Sequence, residues 1–334
     1  MESPEYITNG VVTFHFTSSS HSTSATYNVG TTQTYAQVSN VQLEAATTYS
    51  VYASCTATNG TAVTSTTTTL TTPVPVVMPS ESWLELPAIS NSSLYPNAQE
   101  LKVDASGVRN YTAYYDNSTY TSMWVAYPLQ SSHMGSLARP SKWYYNPLIA
   151  TSEQVNLCDH SYEGDTYSRG HLIPNASRNG NEEMQLQTFY VTNSVPQVQN
   201  SFNGGIWNSL EGALQSEAAS ETIYIVTGVA FSKVGETKSV SYIQATDDTK
   251  DIPIPNYFYK VALKVKTNSS GTVTSASTVG FWFENKAYSD TYTNYSVTVD
   301  QVEQWTGFDF FANLPDSVEV TAESSKDWSA FLAF

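Results

Sequence analysis

An arginine and a histidine stand two positions apart in the segment 167–174, which reads Tyr-Ser-Arg-Gly-His-Leu-Ile-Pro. Residues at i and i+2 of an extended chain project from the same face, so Arg169 and His171 would point the same way. The glycine between them, Gly170, permits the close approach of another part of the chain or of a ligand. A fixed cation beside a titratable imidazole suits a site that binds an anion and moves a proton.

Carboxamides and one carboxylate follow further along the chain: Asn193, Gln197, Asn203 and Glu211. Apolar residues recur at i, i+4, i+7 and i+8 from Ile206, which predicts a helix over about 204–219. Asn203 would then lie at the helix N-terminus, where a carboxamide can cap free amides and anions are favoured. A base, a cation, carboxamides and one carboxylate suit phosphodiester hydrolysis assisted by a single metal ion.

The order of these residues resembles the DNA/RNA non-specific endonuclease family, the sugar-nonspecific nucleases of the ββα-metal class. That family has Asp-Arg-Gly-His, then an asparagine that opens a helix and a glutamate two turns along it. Here residues 168–171 read Ser-Arg-Gly-His and are followed by Asn203 and Glu211. Segments 110–116, 124–129 and 306–316 resemble the family's flanking strands and closing segment. The resemblance therefore covers roughly residues 83–334.

The resemblance implies chemical roles for three of these residues. His171 would be the general base that takes a proton from water, because its pKa can lie near neutrality. Asn203 would be the one direct protein ligand of Mg²⁺, with waters completing an octahedron. Mn²⁺ would serve as a substitute, because oxygen-rich sites suit both ions. Glu211, two turns along the same helix, would orient water near the metal.

Two arginines and a second asparagine complete the predicted catalytic group. Arg139 and Arg169 would bind phosphate oxygens and share the charge that develops during the reaction. Asn193 would brace the site, and a purely structural role is an equal alternative. Ser168 stands where the family has aspartate. Serine keeps a hydrogen-bonding group without the charge, so we expect a more weakly organised metal site.

Composition gives opposing indications about a nucleic-acid substrate. The 334 residues carry a formal net charge of −16, whereas phosphate contacts with Lys and Arg supply most non-specific affinity. A nuclease needs only a local positive field, and a bound divalent cation supplies much of it. The two cysteines, Cys55 and Cys158, are either separate buried thiols or one interdomain disulfide. No apolar run reaches the ~20 residues of a membrane span.

Composition also divides the chain into two domains and a linker. Residues 1–72 are rich in Thr and Ser with Asn-Gly turns, which predicts a small all-β sandwich resembling a fibronectin type III or another immunoglobulin-like module. Residues 73–82 predict a stiff proline-rich linker, and 83–334 the endonuclease domain. Strands are predicted at about 111–128, 187–192, 223–229, 257–266 and 279–282. The predicted fold class is α+β, a ββα-metal domain with a central antiparallel sheet after the sandwich.

Together these features predict a Mg²⁺-dependent endonuclease that hydrolyses DNA and RNA and leaves 5′-phosphate ends. Sequence independence follows if its contacts are mainly to phosphate and sugar. We expect a bacterial protein that is extracellular, periplasmic or on the cell surface, with its native signal peptide missing from this sequence. The alternative is a surface binding or adhesion protein with a degenerate, inactive nuclease domain, which Ser168 and the acidic charge would favour. The oligomeric state is left open.

Overall fold

The computed structural model describes residues 10–29, 36, 38, 41, 43, 47–57, 59–71, 83–89, 92–269 and 271–334. The chain forms two compact units, Met1–Val77 and Met78–Phe334. The predicted linker, 73–82, lies outside the described residues, and the domain limits at 72 and 83 stay predictions.

The first unit contains one small antiparallel sheet. Its strands are β1 (Val11–Thr17), β2 (Ser22–Asn28), β3 (Thr48–Thr56), β4 (Ala62–Thr64) and β5 (Thr68–Thr71). β1 pairs with β2 and β3, and the other edge of β3 pairs with β4 and β5. A second, facing sheet is not seen among the residues described in this unit. The strands predicted here are present, but the fibronectin type III-like or immunoglobulin-like assignment is not confirmed.

The second unit is built on a seven-stranded sheet. Its strands are β6 (Ala98–Ala105), β7 (Val108–Asp116), β8 (Thr121–Leu129), β11 (Ile223–Ala230), β14 (Tyr257–Thr267), β15 (Val273–Glu284) and β16 (Ser296–Val297). The spatial order is β16-β15-β14-β11-β8-β7-β6, and every pair is antiparallel. The predicted α+β class with a central antiparallel sheet is confirmed.

Both faces of this sheet are covered, because successive side chains of a strand point to opposite faces. Tyr127 of β8 packs into one hydrophobic core, while its neighbour Ala126 packs into another. Phe258 and Tyr259 of β14 divide in the same way. The sheet therefore separates two cores within the second unit.

Short elements cover the first face, the one toward which Tyr127 points. They are β9 (Tyr167–His171), β10 (Ser194–Val198), the π-helical segment Gln199–Trp207, α2 (Asn208–Glu217) and α5 (Trp328–Ala333). The predicted helix over 204–219 is present, but α2 itself begins at Asn208. The preceding π-helical segment contains non-helical φ and ψ at three positions, among them Gly205.

The strand predicted at 187–192 is wrong. Helix α1 (Glu182–Gln187) and a short 3-10 helix (Val191–Asn193) flank this region, and Tyr190 makes only one parallel bridge, to Tyr144. Phe189 and Val191 are buried in a third cluster of apolar side chains. The aromatic and β-branched residues therefore reflect burial on a turn rather than pairing in a sheet.

Helices α3 (Val299–Thr306) and α4 (Asp316–Glu323) contact β15, and α3 contributes Val299 and Val302 to the second core. Two-residue strands β12 (Tyr242–Ile243) and β13 (Ile252–Pro253) pair away from the main sheet.

Cys55 and Cys158 are both free thiols. None of the helices in the described ranges combines the length and the apolar character needed to cross a membrane.

Candidate active site

A cleft of about 460 Å³ opens over the first face of the sheet. Its lining residues are Arg139, Arg169, His171, Pro174, Asn175, Ala176, Asn203, Gly204, Asn208, Glu211, Gly212 and Gln215. Five of the six residues predicted to act catalytically or to hold a metal are in this set. The sixth, Asn193, is not.

The pairing of β9 with β10 places Arg169 and His171 at the cleft. His171 lies opposite Ser194 and Arg169 lies opposite Pro196 in the antiparallel ladder. A Cβ atom on Gly170 would overlap the side chain of Gln197, which is fully buried. The glycine between the two functional residues is therefore required by a neighbouring side chain in the same pair of strands.

The imidazole of His171 lies between two aromatic rings. Its centroid is 4.5 Å from that of Trp143 and 4.9 Å from that of Phe189. Burial, then the charges of Arg139 and Arg169, lower the pKa of His171 to about 3. Its Nε2 atom is buried and has no hydrogen-bond partner among the described residues. The imidazole is therefore neutral near pH 7, with an unpaired ring nitrogen at the cleft.

The two arginines of the cleft are held differently. Arg169 donates from one terminal nitrogen to the carbonyl oxygens of Leu157 (2.8 Å) and His160 (3.1 Å), so part of its guanidinium is fixed to backbone. Its guanidinium also lies 5.3 Å from the centre of the Trp143 ring. Arg139 is exposed, and its guanidinium lies 4.9 Å from the ring centre of Phe189. Together they contribute two positive charges to the lining of the cleft.

The side-chain amide of Asn203 is oriented by its nitrogen. Nδ2 donates to Oγ of Ser168 over 2.8 Å and to Oε1 of Gln199 over 3.1 Å. Both of its protons are thus engaged, and Oδ1 accepts no hydrogen bond from the residues that the structure describes. The predicted helix cap is wrong, because this side chain binds β9 and the π-helical segment rather than backbone amides of α2. Ser168 acts here as an acceptor that helps to fix the orientation of the amide.

Glu211 is paired with a lysine that the sequence analysis missed. Oε1 of Glu211 lies 3.9 Å from Nζ of Lys260, a fully buried residue of β14. Nζ also donates to Oγ1 of Thr227 over 2.6 Å and lies 4.7 Å from the ring centre of Trp207. Burial raises the pKa of Glu211 to about 7 against the effect of Lys260, and burial lowers that of Lys260 to about 8.

A signal for this lysine was present in the sequence. It lies inside the apolar run 257–263, where a charged side chain has no access to water and must have a partner.

The helix face that Asn203 and Glu211 were predicted to share is only partly as predicted. Trp207, between them in the repeat, is fully buried in the core and does not reach the cleft.

Asn193 is not among the residues that line the cleft, and its hydrogen bonds favour the structural role that was the stated alternative. Asn193 is fully buried, and its Oδ1 accepts from the backbone N–H of Ile173 over 2.9 Å. Its Nδ2 donates to the carbonyl oxygens of Ile173 (3.0 Å) and Thr188 (2.8 Å). The side chain therefore holds together the chain after β9 and the turn that precedes Asn193, and it has no hydrogen-bonding group left for a substrate.

The donor atoms at the cleft fit a hard divalent cation. Oδ1 of Asn203 is an oxygen without a hydrogen-bond donor, and Oε1 of Glu211 is buried without one among the described residues. Neutral carboxamide and carboxylate oxygens are ligands that Mg²⁺ and Mn²⁺ prefer, and Mg²⁺ usually keeps several waters. These oxygens accept no hydrogen bond from the described residues, which leaves the cleft a place for a cation and its waters.

The model of the family described as DNA/RNA non-specific endonuclease matches residues 90–317. The chain belongs to the DNA/RNA non-specific endonuclease family. The matched segment contains the whole cleft, from Arg139 to Gln215. The predictions of the family and of an enzyme of the endonuclease class are confirmed, and the family is one of metal-dependent nucleases that act on nucleic acid.

Several named nucleases are similar in sequence. A nuclease of Nostoc sp. is 27% identical over 223 residues, covering 65% of this chain and 76% of the relative. The mitochondrial nuclease EXOG of Mus musculus is 26% identical over 232 residues, covering 67% and 61%. Mitochondrial nuclease 1 of Schizosaccharomyces pombe is 28% identical over 206 residues, covering 60% and 62%. The chain thus spans about three fifths of the two mitochondrial relatives.

A solved structure shows the same fold. It is described as the EndoG/EndoGI complex, and its matched chain is 18% identical with a TM-score of 0.56, covering 68% of this chain and 93% of that one. The relatives correct one expectation. The extracellular, periplasmic or cell-surface location predicted for a bacterial protein is wrong by this comparison, because relatives from mouse and fission yeast are named as mitochondrial.

Proposed function

We propose that this protein is a Mg²⁺-dependent endonuclease that hydrolyses the phosphodiester bonds of DNA and RNA without sequence preference and leaves 5′-phosphate ends. The observation that carries the proposal is the convergence of His171, Asn203 and Glu211 on one cleft with two arginines. Such a set supplies a proton acceptor, oxygen ligands for a cation and donors for phosphate. It supports an active enzyme over a surface binding protein with a degenerate nuclease domain.

His171 is the proton acceptor in this proposal. His171 lines the cleft, and its Nε2 has no hydrogen-bond donor among the described residues, so it can accept a proton from a substrate water that reaches it. Burial is the largest cause of the low pKa of His171, and the charges of Arg139 and Arg169 lower it further. A phosphate anion bound between the arginines offsets those charges and raises the pKa of His171 toward neutrality. Substrate binding therefore strengthens the base.

The arginines and the buried pair have separate tasks. Arg139, which is exposed, binds and orients a phosphate oxygen, and the free edge of the Arg169 guanidinium binds another. Asn203 would hold the cation through Oδ1, and Glu211 would orient its waters. When bound, Mg²⁺ supplies positive charge that stabilises the charge developing on the phosphoryl oxygens and the leaving oxygen. Lys260 opposes the effect of burial and so favours the ionised form of Glu211.

Sequence independence is expected from the types of residue at the cleft. Guanidinium groups recognise phosphate oxygens, which carry no information about base identity. The local positive charge of Arg139 and Arg169 counters the net charge of −16 where the backbone of the substrate would bind. We therefore expect single-stranded and double-stranded DNA and RNA to be cleaved at many positions.

The test is digestion of supercoiled plasmid and of a defined RNA, with Mg²⁺ and with excess chelator. We expect cleavage with Mg²⁺ or Mn²⁺, none with chelator, and termini that a ligase accepts without prior phosphorylation. His171→Ala should lower kcat/KM by roughly 10²–10⁴-fold, the contribution of a positioned acid or base.

His160→Ala is the matched control for this variant. His160 is exposed and pairs with Asp247 over 2.7 Å, and it is outside the set of residues that lines the cleft. Its removal should leave the rate within about twofold, because surface ion pairs contribute little. Full activity in excess chelator, or equal activity of the two histidine variants, would exclude the proposed mechanism.

A further inference from the structure

Five carboxyl groups form an acidic cluster beside the second core of the sheet, away from the cleft. The acidic cluster consists of Asp300, Glu303, Asp309, Glu319 and Glu323. One carboxylate oxygen from each of Asp300, Glu303 and Glu323 lies within 4.8 Å of the others. These three residues come from α3 and α4, so the acidic cluster lies between two helices.

Glu323 is the innermost member of the acidic cluster. Its side chain is only 4% exposed, whereas Asp300 is exposed and Glu303 is partly exposed. Oε1 of Glu323 is buried and accepts no hydrogen bond from any described residue. A buried carboxylate without a partner is costly, because water no longer solvates it. A carboxylate oxygen of Glu323 nevertheless lies within 4.8 Å of one oxygen from each of two further carboxylates.

The charges of the acidic cluster are not balanced by cations from the protein. In the part of the chain that the structure describes, no Lys or Arg makes an ion pair with any member. Glu303 has one protein donor, since its Oε1 accepts from the backbone N–H of Phe310 over 2.7 Å. Burial and repulsion from neighbouring carboxylates raise the pKa values of Glu319, Glu303 and Glu323 to about 7, 8 and 10.

We propose that Asp300, Glu303 and Glu323 bind a Ca²⁺ ion that joins α3 to α4. Bound Ca²⁺ would supply the positive charge that the protein lacks here, and the buried carboxylate of Glu323 would be one of its ligands. This site is separate from the cation site of the cleft, because α2 packs on the first core and α3 on the second. Its role is to stabilise the fold.

The donor set favours a hard cation such as Ca²⁺. All three donors are carboxylate oxygens, which suit hard cations rather than Zn²⁺ or copper. Ca–O distances of 2.3–2.6 Å allow two ligands to lie up to roughly 5 Å apart. The observed oxygens lie within 4.8 Å of one another, a separation that one Ca²⁺ ion can span.

The test is thermal unfolding of the full chain after removal of metals, followed by titration with CaCl₂. At a Ca²⁺ concentration a hundredfold above Kd, binding to the folded state should raise Tm by roughly 5–10 °C. Glu323→Gln should abolish this rise. In chelator the same variant should be at least as stable as the parent, because glutamine cannot acquire the charge that burial and the neighbouring carboxylates disfavour.

Two further variants separate the acidic cluster from the rest of the chain. Glu163→Gln makes the same chemical change at an exposed position and should keep the full rise in Tm. Asn203→Ala removes the candidate ligand of the cleft and should also keep it. Asp300→Asn, at the exposed side of the site, should raise the Ca²⁺ concentration at half-effect by at least about tenfold while folding normally.

The change in Tm with Ca²⁺ in the parent and in these variants decides whether the proposed site exists. A Tm of the parent that does not respond to millimolar Ca²⁺ would overturn it. So would an undiminished rise in both Glu323→Gln and Asp300→Asn, or a rise that disappears only in Asn203→Ala. If Glu323→Gln does not fold, the Ca²⁺ titration of Asp300→Asn gives the decision by itself.

Discussion

The hydrogen bond between Ser168 and Asn203 should set the affinity of the candidate active site for its metal. Ser168→Ala removes the oxygen that accepts from Nδ2 of Asn203 over 2.8 Å, and only the longer bond to Gln199 then orients the amide. The carboxamide can rotate, so its oxygen is less often presented to the cation. Ser168→Asp keeps an acceptor at this position and adds a negative charge.

The magnitude follows from the strength of one hydrogen bond. A neutral side-chain hydrogen bond contributes roughly 0.5–1.5 kcal/mol, and about 1.4 kcal/mol is a tenfold change in an equilibrium constant. Ser168→Ala should therefore raise the Mg²⁺ concentration for half-maximal rate by about 2-fold to 12-fold. Hydrogen bonds to a charged group are roughly twice as strong as neutral ones, so Ser168→Asp should lower that concentration by a similar factor.

The assay is the initial rate of plasmid nicking as a function of Mg²⁺ at fixed pH. Ser220→Ala is the control, because Ser220 is exposed and its hydroxyl donates to a backbone carbonyl outside the cleft. Its Mg²⁺ curve should match that of the parent. The carboxylate of Ser168→Asp also raises the pKa of His171, so the acidic limb of its pH–rate profile should move upward.

The order of half-maximal Mg²⁺ concentrations is the decisive result. We expect Asp below Ser and Ser below Ala at position 168. Three superimposed curves would mean that the hydrogen bond seen between Ser168 and Asn203 does not control metal binding, and that serine is a neutral replacement for the aspartate of the family.

Three further predictions concern packing and charge. Gly170→Ala should destabilise the second unit by roughly 1–3 kcal/mol in urea unfolding, because its Cβ overlaps Gln197, and adding Gln197→Ala should recover only part of this loss, because the Cβ of residue 197 still lies 2.6 Å from the new Cβ. Lys260→Met removes the charge that lowers the pKa of Glu211, so the acidic limb of kcat/KM against pH should shift upward; an unshifted limb would separate Glu211 from the reaction. In chelator, the acidic cluster has folded-state pKa values above those of the unfolded chain, so its contribution to stability is present at low pH. That contribution is lost as pH rises through about 7–10, and urea unfolding at pH 6 and pH 9 should show a decrease that saturating Ca²⁺ reduces.

The sequence predicted the central sheet and most of the cleft because both depend on local patterns. Apolar, β-branched runs became β11, β14 and β15, since these strands are buried on both faces. The i, i+2 spacing of Arg169 and His171 placed both at the cleft, because β9 is extended. These inferences needed only the periodicity of a single segment.

The failures required information from distant parts of the chain. Residues 187–192 have the composition of a strand although they form a turn, because the third cluster of apolar side chains buries them. Lys260 is 49 positions from Glu211 in the sequence, so only the pairing of β11 with β14 and the packing of α2 bring them together. The hydrogen bonds of Asn193 and Asn203 depend on the path of the backbone around them, which side-chain type does not specify.

The sheet divides the second unit into two cores, and this division limits how far a mutation in one core affects the other. Neighbouring residues of one strand, such as Phe258 and Tyr259, belong to different cores and share few partners. Effects of substitutions at sites without shared partners add, whereas those of neighbours in contact couple. The layer that carries the cleft and the layer that carries α3 and α4 can therefore accumulate substitutions with little epistasis between them, so one face can acquire new stability while the other keeps its chemistry.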